Sequence, residues 1–301
     1  MVDIENKWRW NQFGDLRTCA HLEEYLQGQE YRHGGYFHYT RLDTVDKILS
    51  GKTFWLSNVG GFNDMFDQQQ FSKKMQFFFS LCFSTGENEN LPLWYLYSGI
   101  DGQGGRIRLT KSGVQTLIKK GTYRLVCTEH PNEFMILEQG KTMDVEFRDV
   151  IYAHEAKGKN LCDLKYNTMT NHWFPKEDFI QYKEKHNGFC KGLIWYYEKE
   201  SRLLVRIKGD AETLLRKWMK SDIAETSPCR VELSFDENLM KKMTVTLAPN
   251  ISREKMGEML KNKTGIQELI SLTSAVQPSG YAGSVKFDLC KGCQQNKEVH
   301  T

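Results

Sequence analysis

The chain has 301 residues, of which 40% are apolar, 26% charged and 12% aromatic, and its net charge is +3. This is the balance of a globular protein with ample length for a buried core. The charge is too small to imply nucleic-acid binding by itself, and no apolar run is long enough to span a membrane.

The opening MVDIENKWRW is polar and aromatic, without the apolar run of a secretory leader. Eight cysteines (Cys19, Cys82, Cys127, Cys162, Cys190, Cys229, Cys290 and Cys293) are scattered along the chain. They read as free thiols, and the expected location is the cytoplasm. The one close pair, Cys290-Lys291-Gly292-Cys293, lacks the second ligand pair of a zinc knuckle, and His300 adds only a third donor. No metal is expected.

Residues 1–30 read as an N-terminal extension with a short amphipathic helix at 21–26. After Gly34 and Gly35, the aromatic run Tyr36-Phe37-His38-Tyr39-Thr40 predicts a strand. Leu42, Val45, Ile48 and Leu49 fall on one helical face, so 42–49 predicts a helix. Thr40 or Asp43 is its expected cap and Gly51 its end. A strand is expected at 53–56, then the turn-rich Gly60-Gly61-Phe62-Asn63-Asp64. An apolar strand at 77–84, a short aromatic helix at 93–97, a strand at 106–109 and a helix at 114–118 follow. The alternation over 140–152 ends in the strand-like Val150-Ile151-Tyr152.

The polar stretch 156–188 suggests a helical insertion. A strand at 201–207, a helix at 211–219, strands at 231–235 and 243–247, and a helix at 252–260 capped by Ser252 complete the pass. Without repeats or linkers, the simplest account is one α+β domain over 31–275 and a tail over 276–301. Mixed, mostly antiparallel sheets with flanking helices are expected.

The densest chemistry lies between Lys191 and Arg206. On a strand, Glu198, Glu200 and Arg202 would share a face, the two carboxylates about 7 Å apart. Trp195, Tyr196 and Tyr197 just before them read as a buried wall. The set is either a salt-bridged strand edge or a carboxylate pair facing a pocket. On an alternating strand His38 shares its face with Tyr36 and Thr40, which offers an imidazole and a hydroxyl together, suited to ribose hydroxyls. Two basic groups stand out: Arg106, Arg108, Lys111, Lys119, Lys120 and Arg124, and Arg202, Arg206, Lys208, Arg216, Lys217 and Lys220. They read as solvated faces or as an anion-binding surface for a dinucleotide or nucleic acid.

Several chemistries are not supported. There is no Gly-x-Ser-x-Gly elbow, no Walker loop, and no Gly-x-Gly-x-x-Gly followed by an acidic residue. His21-Leu22-Glu23 and Cys290 with Cys293 sit too far apart, and without the proline, for a zinc deaminase. Cys82, closing an apolar strand, reads as a buried, inert thiol.

Taken in order, a set of motifs resembles a bacterial family labelled "domain of unknown function 2971". The motifs are Phe37-His38-Tyr39-Thr40, Ile48-Leu49-Ser50-Gly51, Trp55-Leu56-Ser57, Phe62-Asn63-Asp64, Cys82-Phe83-Ser84, Leu93-Trp94-x-x-Tyr97, Gly105, and Lys191-x-x-x-Trp195-x-x-Glu198-x-Glu200-x-Arg202. The match runs over roughly 36–270, departing where Met65-Phe66-Asp67 follows the Asn-Asp loop. More distantly, the chain is similar to the ADP-ribosyltransferase fold. That resemblance implies NAD as substrate. His38 would bond the nicotinamide-side ribose or its neighbour and Tyr97 would stack on nicotinamide, with Thr40 and Trp94 also among the cofactor-binding residues. Glu200 would stabilise the ribosyl cation and Glu198 would orient the acceptor, while Arg202 is counted among the cofactor-binding residues. Trp94 stands where many such enzymes have Ser.

The reading that follows is an NAD-dependent ADP-ribosyltransferase-like enzyme modifying nucleic acid or protein, in a toxin or phage-defence setting. The alternatives are a non-catalytic nucleotide or nucleic-acid sensor, and a metal-dependent nuclease using Asp64, Glu198 and Glu200. The sequence leaves the acceptor and the oligomeric state open.

Overall fold

The structure, a computed structural model, describes residues 31, 33–62, 72–86, 88–98, 103–153, 188–219, 228–251, 253–273 and 275–282. The expected helix at 21–26, the Asn63-Asp64 loop, nearly all of the 156–188 insertion, Ser252, Cys290 and Cys293 lie outside the described residues.

In chain order the elements are β1 (Gly35–Arg41), α1 (Leu42–Gly51), β2 (Thr53–Asn58), β3 (Phe78–Ser84), α2 (Leu91–Tyr97), β4 (Gly104–Thr110), α3 (Lys111–Lys120), β5 (Thr122–Cys127), β6 (Phe134–Leu137), β7 (Met143–Asp149), β8 (Ile151–Ala153), β9 (Cys190–Gly192), β10 (Glu200–Ile207), α4 (Gly209–Trp218), β11 (Cys229–Ser234), α5 (Glu237–Met240), β12 (Thr244–Leu247), α6 (Arg253–Leu260), α7 (Thr264–Thr273) and β13 (Val276–Gln277). Short 3-10 turns cover Val59–Gly61, Ser72–Phe77 and Leu193–Glu198. The protein is α+β, and its strand pairs are mostly antiparallel. No helix among the described residues is long and apolar enough to cross a membrane.

The chain divides into two compact units. The first holds the described residues within Met1–His33, Phe54–Thr85 and Lys120–Ser234. Its centre is β10, flanked by antiparallel β3 and β7. Strand alternation separates two faces here. On one, Phe79, Leu81 and Phe83 stand opposite Val205, Leu203 and Ser201, with Phe147 opposite Leu203. Phe83 packs edge-on against Phe54 and Phe147 at 6.4 and 6.2 Å between ring centres. Burying such aromatic side chains is the largest favourable contribution in a core of this kind. The other face is polar: Ser84 opposite Glu200, and Cys82 opposite Arg202, which also faces Arg148. A small apolar cluster of Val59, Phe189 and Leu204 covers part of it, with Phe62, Met75 and Phe78 packed alongside. The candidate site lies on this polar face.

The second unit holds the described residues within Gly34–Thr53, Gly86–Lys119 and Phe235–Thr301. Its sheet runs β13-β12-β4-β1, with β13 parallel to β12 and the other pairs antiparallel. Helix α1 buries Leu42, Val45, Ile48 and Leu49, the face expected from the sequence. Neither Thr40 nor Asp43 caps it: Arg41 is the cap residue, without a side-chain bond. Instead the Leu42 amide donates to the Gln103 carbonyl, so the neighbouring loop satisfies that end. Gly51 is the last helical residue, and the left-handed turn after it falls to Lys52, at φ 47°. The Lys52 ammonium pairs with Glu268 of α7 at 2.8 Å.

Helix α7 docks on α1 at Gly265, where a Cβ would come within 2.3 Å of the Ser50 backbone nitrogen. Asp46 accepts from the amides of Gly265 and Ile266 at 2.9 and 3.1 Å, capping α7 from a neighbouring helix.

Candidate active site

The segment Leu193–Glu198 is a 3-10 turn rather than a strand. Glu198 ends that turn, Lys199 reverses the chain at φ 44°, and β10 begins at Glu200. The expected shared strand face for Glu198, Glu200 and Arg202 therefore holds only for the last two. The expected buried aromatic wall is also absent: Ile194 is 75% exposed and Tyr196 39%, with Trp195 and Tyr197 half-buried. Three residues per turn place Trp195 above Glu198. It is the charged groups, not the aromatic rings, that are buried.

Glu198 and Glu200 nevertheless converge, because Lys191 on β9 reaches both. Its ammonium lies 2.5 Å from Glu198 Oε2 and 3.1 Å from Glu200 Oε2. Arg202 grips Glu200 with both arms, Nε to Oε1 at 2.7 Å and Nη2 to Oε2 at 3.1 Å. Its Nη1 donates to the Gly188 carbonyl at 2.5 Å. The Phe62 ring centre lies 5.0 Å from the guanidinium carbon, and the Trp195 ring centre 5.2 Å from the Lys191 nitrogen. Arg202 is wholly buried, and Lys191, Glu198 and Glu200 are each less than a tenth exposed. Lys191 was quoted in the sequence motif but not singled out for a role. Its position seven residues before Glu198 gave no periodic signal that the chain would fold back on it.

The two carboxylates are held differently. Burial alone would raise the Glu200 carboxyl, but the charges of Arg202 and Lys191 outweigh it and hold the group well below the usual range. For Glu198 burial wins: it pushes the carboxyl up against the pull of Lys191, and the charge of Glu200 adds to the rise. Burial also pushes the Tyr197 phenol up, with Glu198 contributing. The Cys82 thiol is driven far up by burial and next by Glu200, as befits an unreactive thiol.

In the second unit, β1 turns His38 and Thr40 toward the face on which α1 packs, since a Cβ on Gly105, opposite Thr40, would meet Val45. Phe37 and Tyr39 point to the opposite face. Trp94 packs there, edge-on to Tyr39 at 4.8 Å between ring centres. The sheet therefore lies between His38 and Trp94. Trp94 is 1% exposed, and its indole N–H donates to Glu89 at 2.9 Å, so it has no open face for a nicotinamide ring. Tyr97, one turn on, is 40% exposed.

Among the described residues no group of three or more His, Cys, Asp or Glu is arranged to hold a metal ion. Asp64 lies outside those residues.

No family model matches the chain, and no curated protein does. Among solved structures, it is similar to Thermus sp. 2.9 DarT in complex with ADP-ribosylated ssDNA. That likeness has a TM-score of 0.33 and 8% identity, over 82% of this chain and 94% of that one. The same protein in complex with NAD+ gives a TM-score of 0.32 and 8% identity, over 83% and 96%. In complex with carba-NAD+ it gives 0.32 and 9%, over 83% and 97%.

Proposed function

We propose that the chain is an NAD-dependent ADP-ribosyltransferase-like enzyme that uses Glu200 and Glu198 to transfer ADP-ribose to a nucleic-acid or protein acceptor. The observation that carries this reading is the unequal hold on two neighbouring buried carboxylates. Among the described residues Glu200 has two cations, which hold its carboxyl well below the ordinary range; Glu198 has one, and burial pushes its proton affinity up, toward that of a general base. Pairs of carboxyls whose environments push their proton affinities apart are how one site divides electrostatic and acid–base work.

The chemistry follows from that division. When the glycosidic C–N bond of NAD breaks, its electron pair leaves with nicotinamide and positive charge develops on the ribose. A carboxylate fixed in place stabilises that charge more in the transition state than in the ground state. The acceptor's nucleophile then bonds to the ribose carbon, and its proton passes to Glu198, which returns it to solvent. Arg202 and Lys191 position Glu200 and keep it charged. The ordered sequence motifs support the same reading.

A non-catalytic nucleotide-binding module is the second reading. It is favoured by the saturation of Glu200, both of whose oxygens are taken by Arg202, with Lys191 sharing one. In such a module the network would serve structure alone.

Incubation with NAD labelled in the adenylate half, in cell extract, separates the two. The enzyme transfers label to a macromolecule, and Glu200→Gln lowers transfer by about 100-fold or more. Binding of NAD with no label transfer selects the sensor. An absence of NAD binding by calorimetry removes the enzyme reading.

A further inference from the structure

Among the described residues two arginines are deeply buried, and they are treated in opposite ways. Arg202 meets a carboxylate and a carbonyl. Arg106, on β4, is 7% exposed, and among the described residues its side chain makes a single hydrogen bond, Nη1 to the Tyr39 hydroxyl at 3.1 Å. Its Nε is buried with no partner, and among the described residues no carboxylate pairs with it. The Phe37 and Tyr39 ring centres, 4.5 and 5.7 Å from its guanidinium carbon, stabilise the charge but accept no hydrogen bonds in the plane of the group.

Arg108 stands two residues along β4 on the same face, half-buried, its guanidinium carbon 6.0 Å from the same Phe37 ring. It too has no ion pair among the described residues. Thr246 on β12 lies directly opposite Arg106, 2% exposed, and accepts from Gln277, which leaves its own hydroxyl hydrogen to give. Glu89 is engaged elsewhere: it accepts from the Trp94 indole, the Ser279 hydroxyl and the Gly280 amide.

A buried cation with unmet donors and no counter-charge is an arrangement that a bound anion completes. Two guanidinium groups side by side, neither paired with an acid among the described residues, favour a multiply charged anion of phosphate geometry over a single carboxylate. We propose that Arg106 and Arg108, side by side on β4 over the ring of Phe37, bind the phosphate of a small phosphate-bearing ligand. The ligand is small because Phe37 at 4%, Thr246 at 2% and Arg106 at 7% exposure cannot be reached by the backbone of a polymer. The inference stands independently of the function proposed for Glu198 and Glu200. It gives the first basic group in the sequence a role other than a solvated face.

Calorimetry with inorganic pyrophosphate tests it on the wild type, Arg106→Lys and Arg108→Gln, with circular dichroism to confirm folding. The lysine keeps the charge and loses the fork. Pyrophosphate binds the wild type, about tenfold or more weaker to Arg106→Lys, and measurably weaker to Arg108→Gln. If Arg106→Lys does not fold, the half-exposed Arg108→Gln carries the test alone. Equal affinity in wild type and variants, no binding at millimolar pyrophosphate, or acetate competing as well as phosphate overturns the assignment. Displacement of pyrophosphate by an oligonucleotide without terminal phosphate, at matched phosphate concentration, overturns the small-ligand part.

Discussion

Glu198 and Glu200 share one lysine, yet only Glu200 has an arginine as well, and this difference sets the residue-scale predictions. Glu200→Gln leaves Arg202 buried without its counter-charge, which costs about 3–5 kcal/mol in urea unfolding at neutral pH. Acid should reveal the same pair. The Glu200 carboxyl is held below its ordinary 4.5, so its contribution to stability is full above that pH and is lost as pH falls toward the depressed value. The wild-type urea midpoint therefore drops in acid more steeply than that of Glu200→Gln; parallel curves would mean that the pair does not hold the proton off. Glu198 carries the opposite shift. If it accepts the acceptor's proton, the transfer rate rises with pH through a value above 4.5. Glu198→Gln removes that acidic limb and lowers the plateau by about 100-fold. An unchanged pH profile in the variant would exclude Glu198 from proton transfer.

At the scale of elements, α1 and α7 depend on each other. Asp46→Ala deprives α7 of its only side-chain cap among the described residues, with an expected loss of about 1–2 kcal/mol. Gly265→Ala drives a methyl into the Ser50 amide and the Asp46 carbonyl, and neither backbone group can swing aside. We expect a loss of about 2 kcal/mol or more, read by the urea midpoint. These contacts also explain what the sequence left unread. The periodicity of α1 and the alternation of β1 and β10 are local and were legible. Helix α7 is fixed by a cap and a close approach from residues some 220 positions away, which no local pattern encodes. Strand β6 exposes Phe134 and Ile136, so its apolar residues do not alternate with polar ones. The break between Glu198 and Glu200 turns on a left-handed lysine, and lysine gives no sign of that conformation.

For the whole molecule, the candidate residues fall in separate units: Glu198, Glu200 and Arg202 in the first, and His38, Thr40, Trp94 and Tyr97 in the second. The sequence named the charged cluster but gave no role to Lys191, the group that brings the carboxylates together, because its pairing depends on the fold. It also grouped Trp94 with His38, which the sheet of the second unit keeps apart. What distinguishes an enzyme from a structural ion-pair network is bond breaking. The most direct measurement is nicotinamide release from NAD by the purified protein, beside Glu200→Gln and Glu198→Gln at matched folded concentration. The account predicts catalytic release by the wild type, with loss of about 100-fold or more in Glu200→Gln. Glu198→Gln should lose acceptor-dependent turnover more than basal release. Equal release by the wild type and a folded Glu200→Gln, or none by either while NAD binds, would contradict it.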